Sequence, residues 1–291
     1  PEAAAQKGAA LVGQAETRVV YTDLDGTLLG YGGSLFRNEA GDFTIAGALA
    51  LEMLSSRGVE LVLVSGRSIE LLGEDARMLG ADRYIAEAGC VIVNSGGKVE
   101  QNCAPFGNKE GMSVFDEIAA TGAPELLFSH FKGALQYHEP WHRDHCYSHL
   151  LRGSVSTAVA NDAMAGNGIY GLRLVDNGVI KDRGYGMDVE ELHAYHLIPE
   201  SAGKASAIGL DLKLTGRSPG EAIACGDSTQ DLEMAAQVST LYLMANTRLE
   251  SESSGMHGGP EKEPGGHNNV EVMEKPMVEG FLEAIGRALG P

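Results

Sequence analysis

The sequence predicts an α/β protein whose parallel-sheet core is interrupted by an inserted α+β domain. Three observations carry this. Residues 18 to 95 alternate strand-like and helix-like runs, and the same alternation resumes after about residue 203. The apolar run VELVLV (59 to 64) is unbroken, as a parallel strand covered on both faces requires. Between the two stretches the character changes: residues 104 to 199 hold seven of the nine histidines and the only tryptophan, Trp141. The core is therefore expected in two parts, 1 to 103 and 200 to 291, with the insert at 104 to 199.

RVVYT reads as the first strand. Ile45, Leu49 and Met53, with Ala46, Ala50 and Leu54 beside them, recur at helical spacing and predict an amphipathic helix. After VELVLV, the stretch SGRSIELLGEDARMLG predicts a turn and a helix, RYIA a strand, and VIVNSGGKVEQN a hairpin around Ser-Gly-Gly. In the insert, ELLFSHF, GALQYHE and GIYGLRLVDNGVI read as strands among helical pieces. Beyond it come a helix from about Gly203, a strand EAIAC, a helix from Asp231, a strand TLYLMA and a last helix MVEGFLEAIGRAL. The Gly-, Ser- and Pro-rich stretch 251 to 269 reads as a surface loop.

A net charge of -18 argues against nucleic acid or an anionic membrane as partner, because either would approach a repulsive field. Four cysteines without Cys-x-x-Cys spacing read as reduced, mostly buried thiols. The first residues lack the pattern of a secretory signal, so a cytoplasmic protein is expected, as monomer or homodimer.

The chemistry concentrates at strand ends. Asp23 and Asp25 lie just past RVVYT, and Asp227 and Asp231 lie beyond EAIAC. In a parallel sheet, ligands bind outside the carboxyl ends of the strands. If the two strands are adjacent, three or four carboxylates meet at one edge and require a counter-cation, and an all-oxygen set suits Mg²⁺. Ser65, ending VELVLV, either donates to a bound phosphoryl oxygen or caps the helix that follows. Arg67 either contacts substrate or neutralises the acidic edge. The histidine-rich segment HEPWHRDHCYSHLLRG matches no zinc-finger spacing and reads instead as a piece that meets substrate or core.

DLDGTL (23 to 28), Ser65 in VSGR, a lysine opening a later helix and GDSTQD (226 to 231), in that order, resemble the four motifs of the haloacid dehalogenase-like hydrolases. The insert between the serine and lysine motifs resembles that family's C2 caps, found in Cof-type and sugar-phosphate phosphatases. IAEAGCVI is similar to the I-x-E-N-G segment of the subgroup, with Ala88 where Asn is usual. The resemblance implies a Rossmann-like core with an α+β cap. It makes Asp23 the nucleophile that forms an aspartyl-phosphate, and Asp25 the general acid and base. It gives the lysine role to Lys204, in preference to Lys181 of DNGVIKDRG. Mg²⁺ would be held by Asp23, the backbone carbonyl of Asp25 and Asp227, with Asp231 as a further ligand or a support behind them. Leu24, Gly26, Thr27, Gly66 and Arg67 would surround the phosphate. From the cap, Trp141, His142, Arg143 and Arg152 are candidates for reading the leaving group.

The expected function is that of a Mg²⁺-dependent phosphatase acting on a small phosphorylated metabolite, a sugar phosphate or phosphorylated glycoside. The alternatives are a phosphomutase or phosphotransferase on sugar phosphates, and a metal-binding regulatory protein without catalysis. A binding protein has no chemical need for the second aspartate of DLD.

Overall fold

A computed structural model describes residues 16–180, 186–189, 191–247 and 268–290 of the chain. Lys181 and most of the stretch 251 to 269 lie outside the described residues. In chain order the elements are β1 (Val19–Thr22), α1 (Ala46–Ser56), β2 (Glu60–Val64), α2 (Ile69–Leu79), β3 (Arg83–Ala86), β4 (Val91–Val93) and β5 (Val99–Gln101). Then come α3 (Val114–Ala119), α4 (Ala123–His130), β6 (Leu135–Tyr137), β7 (His149–Gly153), α5 (Thr157–Gly166), β8 (Leu172–Val179) and β9 (His193–Pro199). The chain continues with α6 (Lys204–Thr215), β10 (Ala222–Gly226), a 3-10 helix at Thr229–Gln237, β11 (Thr240–Leu243), β12 (Val270–Val272) and α7 (Met277–Leu289).

The large sheet has the order β12-β11-β10-β1-β2-β3-β4-β5, parallel from β12 to β3, with β4 and β5 antiparallel at one edge. β1 sits between β10 and β2, in register Thr22 with Cys225 and Thr22 with Leu63. The Asp23 and Asp227 loops therefore leave adjacent strands at the same edge.

The unbroken apolar strands follow from burial on both faces, since alternate side chains point to opposite sides. Val20, Leu61 and Leu63 pack with Leu54, Leu72 and Phe281 of α1, α2 and α7. Val19, Tyr21, Val62 and Val64 pack with Ile208 and Leu212 of α6 and with Met234. Each such Val or Leu contributes roughly 1.5 to 3 kcal/mol. On α1 the buried stripe is Ala46, Ala50 and Leu54, whereas Ile45 and Leu49 are exposed. The small alanines let α1 lie close to the sheet.

The insert folds around a four-stranded antiparallel sheet, β6-β7-β9-β8, with its own core. One face carries Leu151, Leu174, Tyr195 and Leu197, packed against Ile118, Leu127, Ala160 and Met164 of the three helices. One sequence expectation is corrected here. ELLFSHF is not a strand: it forms most of α4, which Pro124 opens at a position where the missing N–H costs nothing. The Asp-Asn-Gly of VDNGVI lies within a strand, in keeping with the reading of GIYGLRLVDNGVI. β8 runs through it with a register shift between Asp176 and Val179, and Gly178 takes φ 100° at the irregularity.

Candidate active site

The first motif forms a tight loop beyond β1. Leu24 accepts backbone hydrogen bonds from Thr27 (3.2 Å) and Leu29 (2.8 Å), and its side chain is buried in the core, so only its backbone can serve a ligand. Gly26 is required twice over. Its φ is 91°, and a Cβ there would collide with the Asp227 carboxylate. Thr27 is fully buried and its hydroxyl reaches Asp227 Oδ1 at 3.4 Å.

Lys204, the first residue of α6, is buried and donates from Nζ to Asp23 Oδ1 and to Asp231 Oδ1, both at 2.7 Å. Burial opposes the lysine charge, and the two carboxylates override that opposition and raise its pKa. Asp23 is pushed up to about 7, chiefly by burial and, against the pull of Lys204, by Asp231. Asp227 rises to about 8, by burial and by Asp23 and Asp231. One lysine is thus too little positive charge for three buried acids.

Asp23, Asp227 and Asp231 each offer a carboxylate oxygen, all within 4.8 Å of one another. Under-neutralised, all-oxygen donors of this kind fit a hard divalent cation. The two oxygens of Asp231 already have donors: Oδ1 takes Lys204, and Oδ2 takes the Asp227 and Ser228 amides and the Ser228 hydroxyl, at 2.7 to 3.1 Å. Asp231 therefore fixes the lysine and the Asp227 loop from behind. Asn246, which sequence reasoning missed, donates to Asp227 Oδ2 (2.8 Å) and to the Gly26 carbonyl (3.0 Å) and ties the two motif loops together.

Ser65 is buried at the end of β2, and its hydroxyl accepts from the Arg67 amide at 3.3 Å. The cap of α2 is Ser68, whose side chain accepts from the Leu71 amide, so Ser65 is not needed for that purpose. Arg67 neutralises the acidic edge. Its guanidinium forks onto Asp25, with Nη2 at 2.8 Å from both carboxylate oxygens, and reaches Asp75 at 2.7 Å. The Asp25 carboxylate is thus exposed and paired with Arg67, outside the cluster of the other three acids.

The cap candidates do not converge. His142 is stacked on Tyr137 with centroids 3.9 Å apart and tilted on Phe115, while His149 stacks on Phe115 at 3.9 Å. Both rings are packing within the cap. Arg143 is exposed and pairs with Glu139 at 2.8 Å. Arg152 is buried and donates to the Glu139 carbonyl at 2.8 Å. Trp141 is partly exposed, with its ring 5.1 Å from that of His138. A zinc site in this segment has no support: among the described residues, the group fit to hold a metal is the aspartate cluster.

Three further residues join the cap to the core. Glu87, fully buried at φ 50°, accepts from the Cys146 and Tyr147 amides (2.9 and 2.8 Å) and from the Ser148 hydroxyl (2.9 Å), fastening the cap to the end of β3. His196 of β9 and Asn177 of β8 stand over Gly66. A Cβ on that glycine would lie 2.5 Å from His196 Nε2 and 2.9 Å from Asn177 Nδ2.

A family model described as haloacid dehalogenase-like hydrolase matches residues 20–157, which include the Asp23 and Ser65 loops. Over these residues the chain is similar to this family. A phosphoglycolate phosphatase of Aeropyrum pernix is 26% identical over 279 residues, covering 94% of each chain. A second, from Pyrobaculum neutrophilum, is 28% identical over 75% of this chain and 79% of its own. In fold, the chain is similar to a Thermoplasma acidophilum protein (TM-score 0.62, 15% identity) and to the sucrose-phosphatase of Synechocystis in complex with sucrose and phosphate (TM-score 0.62, 17% identity). Both comparisons cover 94% of this chain and 98% of the other.

Proposed function

We propose that this hydrolase is a phosphatase of a small phosphorylated metabolite, a sugar phosphate or related polyol ester, and that it works through an aspartyl-phosphate. The observation that carries the reading is Lys204 held between Asp23 and Asp231, with Asp227 beside them and an inserted domain above. The curated relatives named phosphoglycolate phosphatase support a phosphatase of a small ester, and the likeness to a sucrose-phosphatase favours a sugar-type substrate.

Asp23 attacks phosphorus, the ester oxygen departs, and Asp25 gives it a proton. Water, deprotonated by Asp25, then displaces Asp23 and releases inorganic phosphate. Dividing one slow hydrolysis into two displacements is the gain from covalent catalysis. Ser65 and Lys204 donate to the phosphoryl oxygens as charge builds there. Asp23 and Asp227, with the Asp25 carbonyl, would hold Mg²⁺, which supplies the positive charge that lets an anionic nucleophile meet a phosphate. For the proton transfers, the Asp25 carboxyl leaves the Arg67 fork and turns to the ester oxygen. The inserted domain excludes bulk water and confines the site to small esters.

The test is phosphate release by the full chain across a panel of phosphate esters, with Mg²⁺, after EDTA, and without any bisphosphate activator. Metal-dependent release supports the reading. Absence of release from every ester would overturn it.

A further inference from the structure

The open face of the cap sheet, opposite Tyr195 and Leu197, turns towards the core. His196 projects from it: Leu150 and Val175 are its neighbours in register, and its ring reaches Gly66 at the end of β2. The ring is fully buried, and neither Nδ1 nor Nε2 has a hydrogen-bond partner. A buried polar group left this way costs roughly 1 to 3 kcal/mol, so the arrangement is explained by something that binds there. Gly66 lies between Ser65 and Arg67, so that ligand sits against the phosphate-binding strand end. Asn177, with both side-chain atoms within about 3 Å of the same built Cβ, flanks the same point.

We propose that His196, with Asn177 beside it, reads a hydroxyl group on the leaving group of the phosphate ester and thereby selects polyol esters over carboxylate-bearing ones. This rests on the phosphatase reading above. Burial, then His145, Lys204 and His138, push the His196 pKa well down. The ring is neutral, with one nitrogen to donate and one to accept, and the Asn177 amide likewise offers both. A hydroxyl, itself donor and acceptor, matches that pair. A carboxylate only accepts and calls for a cation, and the cations at this strand end already have carboxylate partners: Lys204 holds Asp23 and Asp231, and Arg67 keeps Asp75 even when Asp25 has turned to the ester oxygen. A hydroxyl-bearing ester therefore fits this site better than phosphoglycolate does.

The experiment measures kcat/KM of the full chain for a hexose phosphate, glycerol phosphate, phosphoglycolate and p-nitrophenyl phosphate. In the wild type a polyol ester is favoured over phosphoglycolate. In His196→Ala the ratio of the polyol ester to p-nitrophenyl phosphate falls about tenfold or more, mainly through KM, and His196→Gln, which keeps a donor and an acceptor, recovers part of it. Asn177→Ala, at a half-buried position, lowers the same ratio and carries the test if His196→Ala does not fold. An active wild type that prefers phosphoglycolate, or whose ratio is unmoved in the variants that fold, overturns the inference while the phosphatase reading stands. A wild type silent towards every ester overturns both.

Discussion

Arg67 grips Asp25 through both carboxylate oxygens, and its other arm holds Asp75 of α2. The second aspartate of the first motif is thereby stored outside the buried cluster, on a side chain partly open to solvent. Asp25→Asn should still bind substrate yet lose roughly 100-fold or more in kcat, because an amide neither gives nor takes the required proton. Arg67→Ala should lower stability by no more than about 1 kcal/mol, since the pair is partly solvated, while kcat falls through lost positioning of Asp25. Steady-state kinetics beside urea titration separate the two effects. An undiminished kcat in Asp25→Asn removes the acid and base assignment.

Asp23→Asn should be folded and inactive, since an amide does not attack phosphorus. Wild-type turnover in this variant would remove Asp23 as nucleophile.

Lys204→Met leaves Asp23 and Asp231 facing each other in a buried site without their cation. Removing one partner from such a group costs about 3 to 5 kcal/mol. The variant should unfold at markedly lower urea and lose roughly 100-fold or more in activity. A urea midpoint equal to the wild type's would mean that the acids find another counter-charge.

Gly26→Ala combines φ 91° with a collision against the Asp227 carboxylate. It should abolish activity by displacing Asp227. The neighbouring contrast is Gly66→Ala, whose methyl would press on His196 and Asn177 rather than on the aspartates, so it should raise KM more than it lowers kcat. Equal kinetic effects from the two substitutions would contradict this placing of the cap.

The core was legible in the sequence because its causes are local. An unbroken apolar run such as VELVLV has few uses other than a covered parallel strand, and Asp-x-Asp-Gly after such a run restricts the loop to a few shapes. What failed depends on distant partners. The run Leu126, Leu127, Phe128 suits a strand as well as a helix, and only Pro124 at the helix start marks the difference. His142 and Arg143 looked like ligand-reading groups because the segment is rich in polar aromatics, yet His142 stacks on Tyr137, and Arg143 answers Glu139 one turn away. His196 was invisible for the opposite reason. In HAYHLIP it is one alternating strand residue among others, and only the register of β9 with β7 and β8 turns it towards Gly66.

Acid should weaken the cap before any catalytic group is considered. His149 is fully buried, stacked on Phe115 and hydrogen-bonded through Nε2 to the Phe115 carbonyl at 3.0 Å. Its pKa falls from 6.5 to about 4, chiefly through burial and with help from His142 and His145, while the Phe115 carbonyl and Glu87 pull the other way. Above pH 6.5 neither folded nor unfolded chain holds a proton at this ring, so its contribution to stability is fully present. As pH falls from 6.5 towards 4, the unfolded chain takes up a proton that the folded ring refuses, and stability drops by up to roughly 1.4 kcal/mol per pH unit. Below that window both states are protonated and the loss levels off. His149→Phe keeps the stacking and removes the titration, so its urea midpoint should fall less steeply between pH 7 and pH 5 than that of the wild type. Parallel slopes would show that the acid sensitivity of the cap lies in other residues.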